Sequence, residues 1–454
     1  MVLEDLIPTL ERLLKEHNVK EAELFYSKEK AIEVRLEKDT VKTGKVSIDR
    51  GIGIRLVKDG KLGFSYTASL SPSSLKEAVK KAVNVALSKT FDPYFKGLPE
   101  EIDAVPVSGL YDASTTKVSV EEVGEKAATL LEEALRYKAK GLKSVFGAAR
   151  VSIVEKEVYN SLSGTTISST TTLSSLAIYV VAEKNGVQAT SYSYDIKRAF
   201  GEVDPEKVAS DACEDAVAQL VKAEARPGTV NLVLHPYALA ALFSYTLLPG
   251  LLASQVQERL SPFARDRGNE VVPEFLSIID DGTITRGVGS CSFDDEGQPS
   301  SETILIDKGI LEDFLHNSYT AKREDRPSTG NGFRRSFRTE PRICPTNVLV
   351  ESRSIVRDSA LFEEVRNGIY CRNIIGAHTA NVATGEFSVV LSGARLIENG
   401  ELKGAVRGIM LGDNIKDFLR KIVYTGKAKT IAPLEMGGYL HSPLVVFEKA
   451  KVSA

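Results

Sequence analysis

The 454-residue sequence has no tryptophan, only four cysteines and no long hydrophobic run. The cysteines are far apart and form no Cys-x-x-Cys pair, which in a chain of this length indicates buried or free thiols of a reducing compartment. No apolar run approaches the length of a membrane span, and the first residues lack the basic-then-apolar pattern of a secretion signal. We therefore expect a cytoplasmic protein that does not enter a membrane. The cysteines are Cys213, Cys291, Cys344 and Cys371.

Histidine is scarce as well, and its spacing excludes a local zinc-protease motif. A helical zinc protease needs two histidines about one turn apart and a nearby glutamate that acts as the general base. No histidine here precedes a glutamate, and no two histidines are close together in the sequence. We therefore expect no catalytic residue and no metal site in this chain, with ligands gathered from distant loops as the disfavoured alternative. The histidines are His17, His235, His316, His378 and His441.

The charge balance and the glycine pattern exclude further classes of protein. The net charge is −3, so no basic footprint for nucleic acid is evident and we expect no direct binding to it. The pairs Gly51-x-Gly53 and Gly287-x-Gly289 lack the third glycine of a dinucleotide-binding loop. The chain also has no Gly-x-Ser-x-Gly elbow, which a serine hydrolase of the α/β type requires.

The length exceeds what one ordinary core accommodates, so we expect several domains. Residues 1–105 and 106–227 each combine helical periodicity with alternating strands, whereas residues 228–454 are rich in strands and turns. The predicted fold class is α+β, with two mixed α/β N-terminal domains that contain antiparallel sheets and a β-rich C-terminal domain. The predicted elements include strands at 21–26 and 31–36, a hairpin that turns at Asp59-Gly60, and a helix at 205–224.

The most informative stretch lies between residues 291 and 335. It contains the acidic turn Asp294-Asp295-Glu296-Gly297 and the loop Gly330-Asn331-Gly332, which Arg334 and Arg335 follow. The acidic turn lacks the spacing of a calcium loop, so a turn without a bound cation is favoured. The two glycines predict a mobile loop. The arginines offer bidentate forks that suit a carboxylate or a peptide backbone, and an exposed loop without a ligand is the alternative.

Two histidines are candidates for other roles. His378 lies among small residues and close in sequence to Glu386, so this pair is a candidate for a cleft, with a structural histidine as the favoured alternative. His235 precedes Pro236 at the start of a predicted helix, and we interpret it as an N-cap or a surface-loop residue.

The order of these motifs resembles the TldD/PmbA (TldE) family, once called modulators of DNA gyrase and now treated as a two-subunit peptidase system. The similarity covers nearly the whole chain and rests on four groups of residues. They are residues 50–55 with 59–64, Tyr159-Asn160-Ser161 with Gly164, Pro227-Gly228-Thr229 with His235-Pro236, and the acidic turn with the Gly-Asn-Gly loop.

In that family a TldD-like subunit holds zinc on a His-Glu-x-x-x-His helix, and a TldE/PmbA-like subunit lacks this motif and helps to enclose a channel for an extended peptide. The corresponding helix here begins His235-Pro-Tyr-Ala-Leu-Ala-Ala-Leu-Phe, so the chain resembles the TldE/PmbA-like subunit. The resemblance implies a non-catalytic subunit that has no cofactor and binds extended peptides beside a zinc-bearing TldD-like partner. A homodimer is a further option.

The resemblance also makes the acidic turn and the Gly-Asn-Gly loop candidate peptide-binding elements. Asp295, Glu296 and Asn331 therefore join the two arginines as candidates. Two other functions stay open at this point. One is a stand-alone peptidase or hydrolase with a non-standard site around His378 and Glu386. The other is an interaction protein related to DNA-gyrase modulation, which the acidic charge balance does not favour.

Overall fold

A computed structural model gives the fold of residues 2–453. Its first region packs two helices against three antiparallel strands, and the apolar side chains of the first helix, Leu10, Leu13 and Leu14, are buried at helical spacing. The hairpin predicted around Asp59-Gly60 is present, with both residues at positive φ as a tight two-residue turn requires. The elements are α1 (Ile7–Glu16), β1 (Glu21–Glu37), β2 (Thr40–Lys58), β3 (Lys61–Thr67) and α2 (Pro72–Ser88).

The second region repeats this plan with two helices over three antiparallel strands. Its first helix begins with a capping box, in which Ser119 and Glu122 exchange hydrogen bonds with each other's backbone. Its last helix ends six residues earlier than predicted, because Val221 and Ala223 form backbone hydrogen bonds with Ala405 instead. The elements are α3 (Val120–Leu135), β4 (Leu142–Asn160), β5 (Thr165–Lys184), β6 (Val187–Lys197) and α4 (Pro205–Ala218).

One six-stranded antiparallel sheet runs through both regions, in the order β3-β2-β1-β4-β5-β6. The two strands predicted at 21–26 and 31–36 are a single strand, β1, which pairs along its length with β2 on one side and β4 on the other. Two separate hydrophobic cores lie under this sheet, one beneath α1 and α2 and the other beneath α3 and α4. The boundary predicted near residue 105 thus separates two cores but not two sheets.

The third region is rich in strands and carries six short helices. Its helices are α5 (Pro236–Tyr245), α6 (Leu247–Gly250), α7 (Ala253–Gln257), α8 (Ser318–Arg323), α9 (Leu361–Val365) and α10 (Ile415–Leu419). Its strands are β7 (Gly228–Leu234), β8 (Leu276–Asp281), β9 (Glu302–Asp307), β10 (Ile310–Leu311), β11 (Gly332–Phe333), β12 (Arg342–Ile343), β13 (Asn347–Ser352), β14 (Gly368–Ile375), β15 (Glu386–Glu398), β16 (Glu401–Ala405), β17 (Met410–Asn414), β18 (Ile422–Thr425), β19 (Thr430–Pro433), β20 (Tyr439–Ser442) and β21 (Val445–Ser453).

Two large sheets and a short ribbon organise these strands. In one sheet β14, β7, β21, β17 and β15 pair in a closed ring, because β15 pairs back with β14. The other has the order β10-β9-β8-β13-β20-β19. Helix α5 packs against strands of both sheets, and its apolar side chains form the middle of the largest hydrophobic core. The fold is α+β with a β-rich C-terminal region, as predicted. Within residues 2–453, no helix combines the length and the apolar character that crossing a bilayer requires.

A close approach between β3 and α2 fixes one glycine in the first region. A Cβ atom added to Gly63 would lie 2.0 Å from the carbonyl oxygen of Ala82, so only glycine allows the strand to approach the helix backbone this closely. Gly124 in α3 has room for a side chain, because no atom lies within 4 Å of the position that its Cβ would take.

We expect these two glycines to respond in opposite directions to substitution by alanine. Gly63→Ala should destabilise the fold by about 1–3 kcal/mol, because the helix and the strand must move apart. Gly124→Ala should stabilise it by about 0.5–1 kcal/mol, because alanine costs less conformational entropy in a helix. Thermal unfolding of the two variants tests this, and equal melting temperatures would contradict the close approach.

Candidate functional site

A buried cluster of charged side chains lies where the three regions meet. Three carboxylates face three cations there, and all except the lysine are nearly inaccessible to solvent. The carboxylates are Glu23 of β1 and Asp295 and Glu296 of the acidic turn, and the cations are Arg55 of β2, Lys156 of β4 and Arg334. The charges balance, which is the condition under which buried ions are tolerated.

Arg55 occupies the centre of this charge cluster. It lies directly opposite Glu23 in the β1–β2 pairing, and its Nε donates to Glu23 Oε1 at 3.1 Å. Its Nη1 donates to Glu296 Oε1 at 2.7 Å, so one guanidinium joins the first region to the third. Glu23 also pairs with Arg334, and Glu296 accepts hydrogen bonds from the N–H and the hydroxyl of Ser318 at 2.7 and 2.6 Å.

The electrostatic environment keeps both Arg55 and Glu296 charged. Burial alone would lower the pKa of Arg55, but Glu23 and Glu296 outweigh it and raise that pKa above its usual value. Burial alone would raise the pKa of Glu296, but the charge of Arg55 and the hydrogen bonds from Ser318 outweigh it and lower that pKa.

The other acidic side chains of this stretch are occupied by protein donors. Asp295 accepts hydrogen bonds from Lys156 Nζ and from the Arg334 N–H, both at 2.7 Å. Asp294 accepts three backbone N–H groups, from Glu296, Gln298 and Gly332, and burial followed by the charge of Glu296 raises its pKa. The carboxylates of the turn are therefore engaged in holding the protein together.

Asn331 is likewise engaged inside the protein. Its side-chain amide donates to Asp280 at 2.8 Å and to the carbonyl of Cys344 at 3.0 Å. Thr346 donates to the same Asp280 through its N–H at 2.7 Å and its hydroxyl at 3.0 Å. Burial raises the pKa of Asp280 to about 6. Asp295, Glu296 and Asn331 thus hold the site together, and none of them presents a free polar group to a peptide.

The loop around and after Gly332 is closely packed against the rest of the protein, although its glycines predict a mobile loop. A Cβ on Gly332 would lie 2.4 Å from Glu296 Oε2, and one on Gly330 would lie 2.4 Å from the carbonyl of Pro299. Farther along, the ring of Phe337 lies where Gly51 would carry its Cβ, at 2.3 Å. Glycine at positions 51 and 53 therefore lets this loop dock on β2.

The loop also forms one wall of an open groove of about 1020 Å³. The adjacent residues Arg334 and Arg335 differ in their exposure to solvent. The guanidinium of Arg334 is buried in the charge cluster, whereas Arg335 is exposed and has no ion pair or side-chain hydrogen bond within residues 2–453. Arg342 also lines the groove, and its exposed side chain has no ion pair or hydrogen bond in the described part of the chain. The lining also contains aromatic, apolar and glycine residues, among them Phe64, Phe333, Ile343, Met436, Gly437, Gly438 and Tyr439. Two charged side chains that line it, Arg338 and Glu340, are paired with Asp49 and Lys89.

The histidine candidates lie elsewhere. His378 and Glu386 are both exposed, and no hydrogen bond or ion pair joins them in the part of the chain that the structure describes. His235 is the N-cap of α5, as one of its two interpretations predicted, and its Nδ1 accepts the N–H of Tyr237 at 3.2 Å. Burial lowers the pKa of His235 well below its usual range. Across residues 2–453, no three His, Cys, Asp or Glu side chains are grouped so that they could hold a metal ion.

Sequence reasoning missed three members of the charge cluster. Arg55 ends the segment 50–55 that carried the family resemblance, so its motif was visible although its role was not. Glu23 and Lys156 lie in strands of alternating polarity and give no local signal, because only the pairing of β1 with β2 and β4 brings them to this position.

Comparisons with known proteins agree with this architecture. Profiles of the PmbA/TldA metallopeptidase match the chain in order, with domain 1 at residues 22–86, the central domain at 114–220 and the C-terminal domain at 227–454. The metalloprotease TldD homolog of Buchnera aphidicola is 27% identical over 405 residues, which cover 86% of this chain and 82% of that protein.

Two solved structures have the same fold. TldE from Thermococcus kodakarensis superposes with a TM-score of 0.90 at 25% identity and covers 98% of this chain and 100% of its own. A putative modulator of DNA gyrase from Thermotoga maritima superposes with a TM-score of 0.85 at 25% identity, covering 99% and 100%. The three-part architecture is that of the PmbA/TldA metallopeptidase domains. The chain belongs to the TldD/PmbA family.

Neighbouring arginines provide a matched test of the charge cluster. Arg334→Ala should destabilise the protein by about 3–5 kcal/mol, because it removes a cation that pairs with the buried carboxylate of Glu23. Arg335→Ala should change the free energy of unfolding by no more than about 0.5 kcal/mol, because that side chain is exposed and unpaired. Chemical denaturation of both variants measures the difference, and a stable Arg334→Ala protein would show that the cluster is not essential to the fold.

Proposed function

We propose that this chain is a non-catalytic, peptide-binding subunit of a cytoplasmic metalloprotease that degrades or processes unfolded peptides. In this proposal a TldD-like partner carries the zinc ion and the catalytic residues. The groove beside the three-region junction supplies a binding surface for an extended segment of the substrate.

Helix α5 is the observation that carries the non-catalytic assignment. In the zinc-bearing subunits of this family the corresponding helix holds the metal. Here its only histidine, His235, uses Nδ1 to cap the helix, and Leu239, Ala240 and Leu242 on the following turn are buried in the hydrophobic core. A helix whose faces are occupied by core packing is suited to support a sheet and not to coordinate a metal.

The groove supports the assignment to peptide binding. The apolar and aromatic part of its lining suits the side chains of an unfolded peptide, and backbone recognition at strand edges is independent of sequence. Arg335 and Arg342 add two unpaired positive charges to the lining. We therefore expect acidic or carboxylate-bearing segments to bind preferentially, since arginine pairs with carboxylates in a bidentate geometry.

The two other functions considered from the sequence gain no support of this kind. A hydrolytic site at His378 and Glu386 would need the two side chains to act together, and both point to solvent without a contact between them. Gyrase modulation is the description given to the Thermotoga maritima relative, and the net charge of −3 does not favour a role at DNA.

We expect the purified chain to bind no stoichiometric zinc and to cleave no peptide by itself. Addition of a TldD-like subunit should produce a complex that cleaves peptides and loses this activity on chelation. Metal analysis and a peptidase assay on the chain, on the partner and on their mixture test this. One equivalent of zinc in the isolated chain, together with chelator-sensitive cleavage, would overturn the proposal.

Removal of the two free arginines should weaken peptide binding without affecting stability. Ion pairs at exposed sites contribute about 0.2–1 kcal/mol each, so Arg335→Ala with Arg342→Ala should raise KM of the reconstituted complex for an acidic peptide about 2- to 30-fold. The effect should shrink as salt rises, because screening weakens exposed pairs. The double variant His378→Ala with Glu386→Ala is the control, and it should retain full activity. Loss of activity in the control alone would favour the stand-alone hydrolase.

A further inference from the structure

A second cavity, of about 620 Å³, lies between helix α4 and the third region. It shares no lining residue with the groove at the three-region junction. Its volume is within the range of about 300–1,000 Å³ that is typical of small-molecule sites. Charged side chains of both signs line it, together with apolar and aromatic residues, among them Pro236, Phe362, Leu402 and Leu444.

Strands β14 and β15 supply the basic side chains of this cavity. Tyr370 and Arg372 are two residues apart on β14 and therefore point to the same face of the sheet. Arg395 lies directly opposite Tyr370 on β15, so its side chain is on that face as well. Arg395 donates to the carbonyl oxygens of Lys403 and Leu402 and forms no ion pair within residues 2–453. Two guanidinium groups thus line one side of the cavity.

The protein satisfies the hydrogen-bonding capacity of Arg372 only in part. The residue is 9% exposed, and its buried Nε has no hydrogen-bond partner in the described part of the chain. Asp215 Oδ2 lies 3.7 Å from this Nε, which is too far for a hydrogen bond. Nη2 donates to the carbonyl oxygen of Tyr192 at 3.3 Å, and Tyr370 is a neighbour of the same guanidinium. Buried guanidinium groups are normally well hydrogen-bonded, so this one has capacity for a further acceptor.

His235 adds a neutral donor to the same cavity. Its Nδ1 accepts the N–H of Tyr237, so the proton of the neutral ring is on Nε2. This Nε2 forms no hydrogen bond within residues 2–453, and the side chain lines the cavity. Burial lowers the pKa of His235 and the nearby charge of Arg372 lowers it further, so the ring stays neutral. Arg372 and His235 together provide donors that suit a carboxylate.

Helix α4 supplies a free carboxylate. Asp211, Glu214 and Asp215 are three and four residues apart and therefore share one face of the helix. Asp211 is exposed and forms no hydrogen bond or ion pair within residues 2–453. Burial raises its pKa and the charge of Arg372 acts against this, so the two groups are electrostatic neighbours. The other carboxylates that line the cavity accept hydrogen bonds, Asp215 from Ser191 and Gln219, Glu214 from Tyr137, and Asp358 from the N–H groups of Lys427 and Ala428.

We propose that this cavity binds a small zwitterion with an apolar side chain, namely a free amino acid or a dipeptide. The carboxylate of the ligand pairs with Arg372 and accepts the Nε2–H of His235, and its ammonium group pairs with Asp211. Its apolar side chain packs against Phe362 and Leu402. Hydrolysis of a peptide releases ligands of this class. Under the proposed function the cavity is therefore a site for products, and only this last step rests on that function.

Ligand analogues test the two charges of the zwitterion separately. Calorimetry on the isolated chain should show that L-leucine or L-leucyl-L-leucine binds, and the tighter of the two identifies the ligand. N-acetyl-L-leucine lacks the ammonium group and L-leucinamide lacks the carboxylate. Each should bind at least about tenfold more weakly than the zwitterion, because each loses one charged pair. An analogue that binds as tightly as the zwitterion, or no binding of either zwitterion at millimolar concentrations, would overturn the proposal.

Substitutions locate the ligand in this cavity. Asp211→Asn should weaken binding of the zwitterion about tenfold and leave that of N-acetyl-L-leucine unchanged, because only the former has an ammonium group. Glu206→Gln is the control and should bind normally, since Glu206 is exposed on the same helix but does not line the cavity. Arg372→Gln should weaken binding of both ligands. Asp211 is exposed, so its test does not depend on whether Arg372→Gln folds.

Equal affinity of Asp211→Asn and Glu206→Gln for the zwitterion would place the ligand elsewhere and overturn the assignment. All of these measurements use the chain without a partner subunit. Their outcome does not depend on whether a partner complex cleaves peptides or on which subunit holds zinc, so the two proposals fail separately.

Discussion

The rest of the structure depends on a single buried guanidinium, that of Arg55, between the carboxylates of Glu23 and Glu296. An ion pair removed from water is stable only when its geometry is complete, because each unpaired member would carry a large desolvation cost. The partners come from β1, from β2 and from a turn of the third region, so this requirement fixes how the regions meet. Lys156 pairs with Asp295 and so extends the same constraint to β4, and Arg334 pairs with Glu23.

The groove is a consequence of that junction. Between the buried Arg334 and the buried Phe337 the chain has no freedom to leave the surface of β2, and the residues between and beyond them form the wall. The side chain of Arg334 lies in the charge cluster, whereas that of Arg335 is exposed. A structural ion pair thus decides which of two adjacent arginines is available to a ligand. In the proposed function, stability and peptide binding are consequently separable by substitution.

The three regions and their packing are features of the family to which the chain belongs. The proteins of the TldD/PmbA family share the three regions, and this chain keeps the packing of all three while it buries leucine and alanine side chains along α5. The helix supports both sheets of the third region, so its apolar character is itself a structural requirement here. In the proposed function, the partner subunit carries the metal and this chain keeps the scaffold that binds a peptide.

Local sequence determined the elements whose causes are local. The hairpin at Asp59-Gly60, the capping by His235 as one of two interpretations, and the α+β class were readable, because turn chemistry, helix capping and periodicity act over a few residues. The family resemblance rested instead on the order of motifs along the chain. The strands 21–26 and 31–36 were not recognised as one, since β1 is continuous only because β2 and β4 pair with it throughout. The glycines of the Gly330-Asn331-Gly332 loop predict mobility, but Gly332 lies against Glu296, and Phe337 beyond it fills the space that Gly51 leaves open. Tertiary structure alone decided which charges are buried, because burial and pairing depend on strands and turns that are far apart in the sequence.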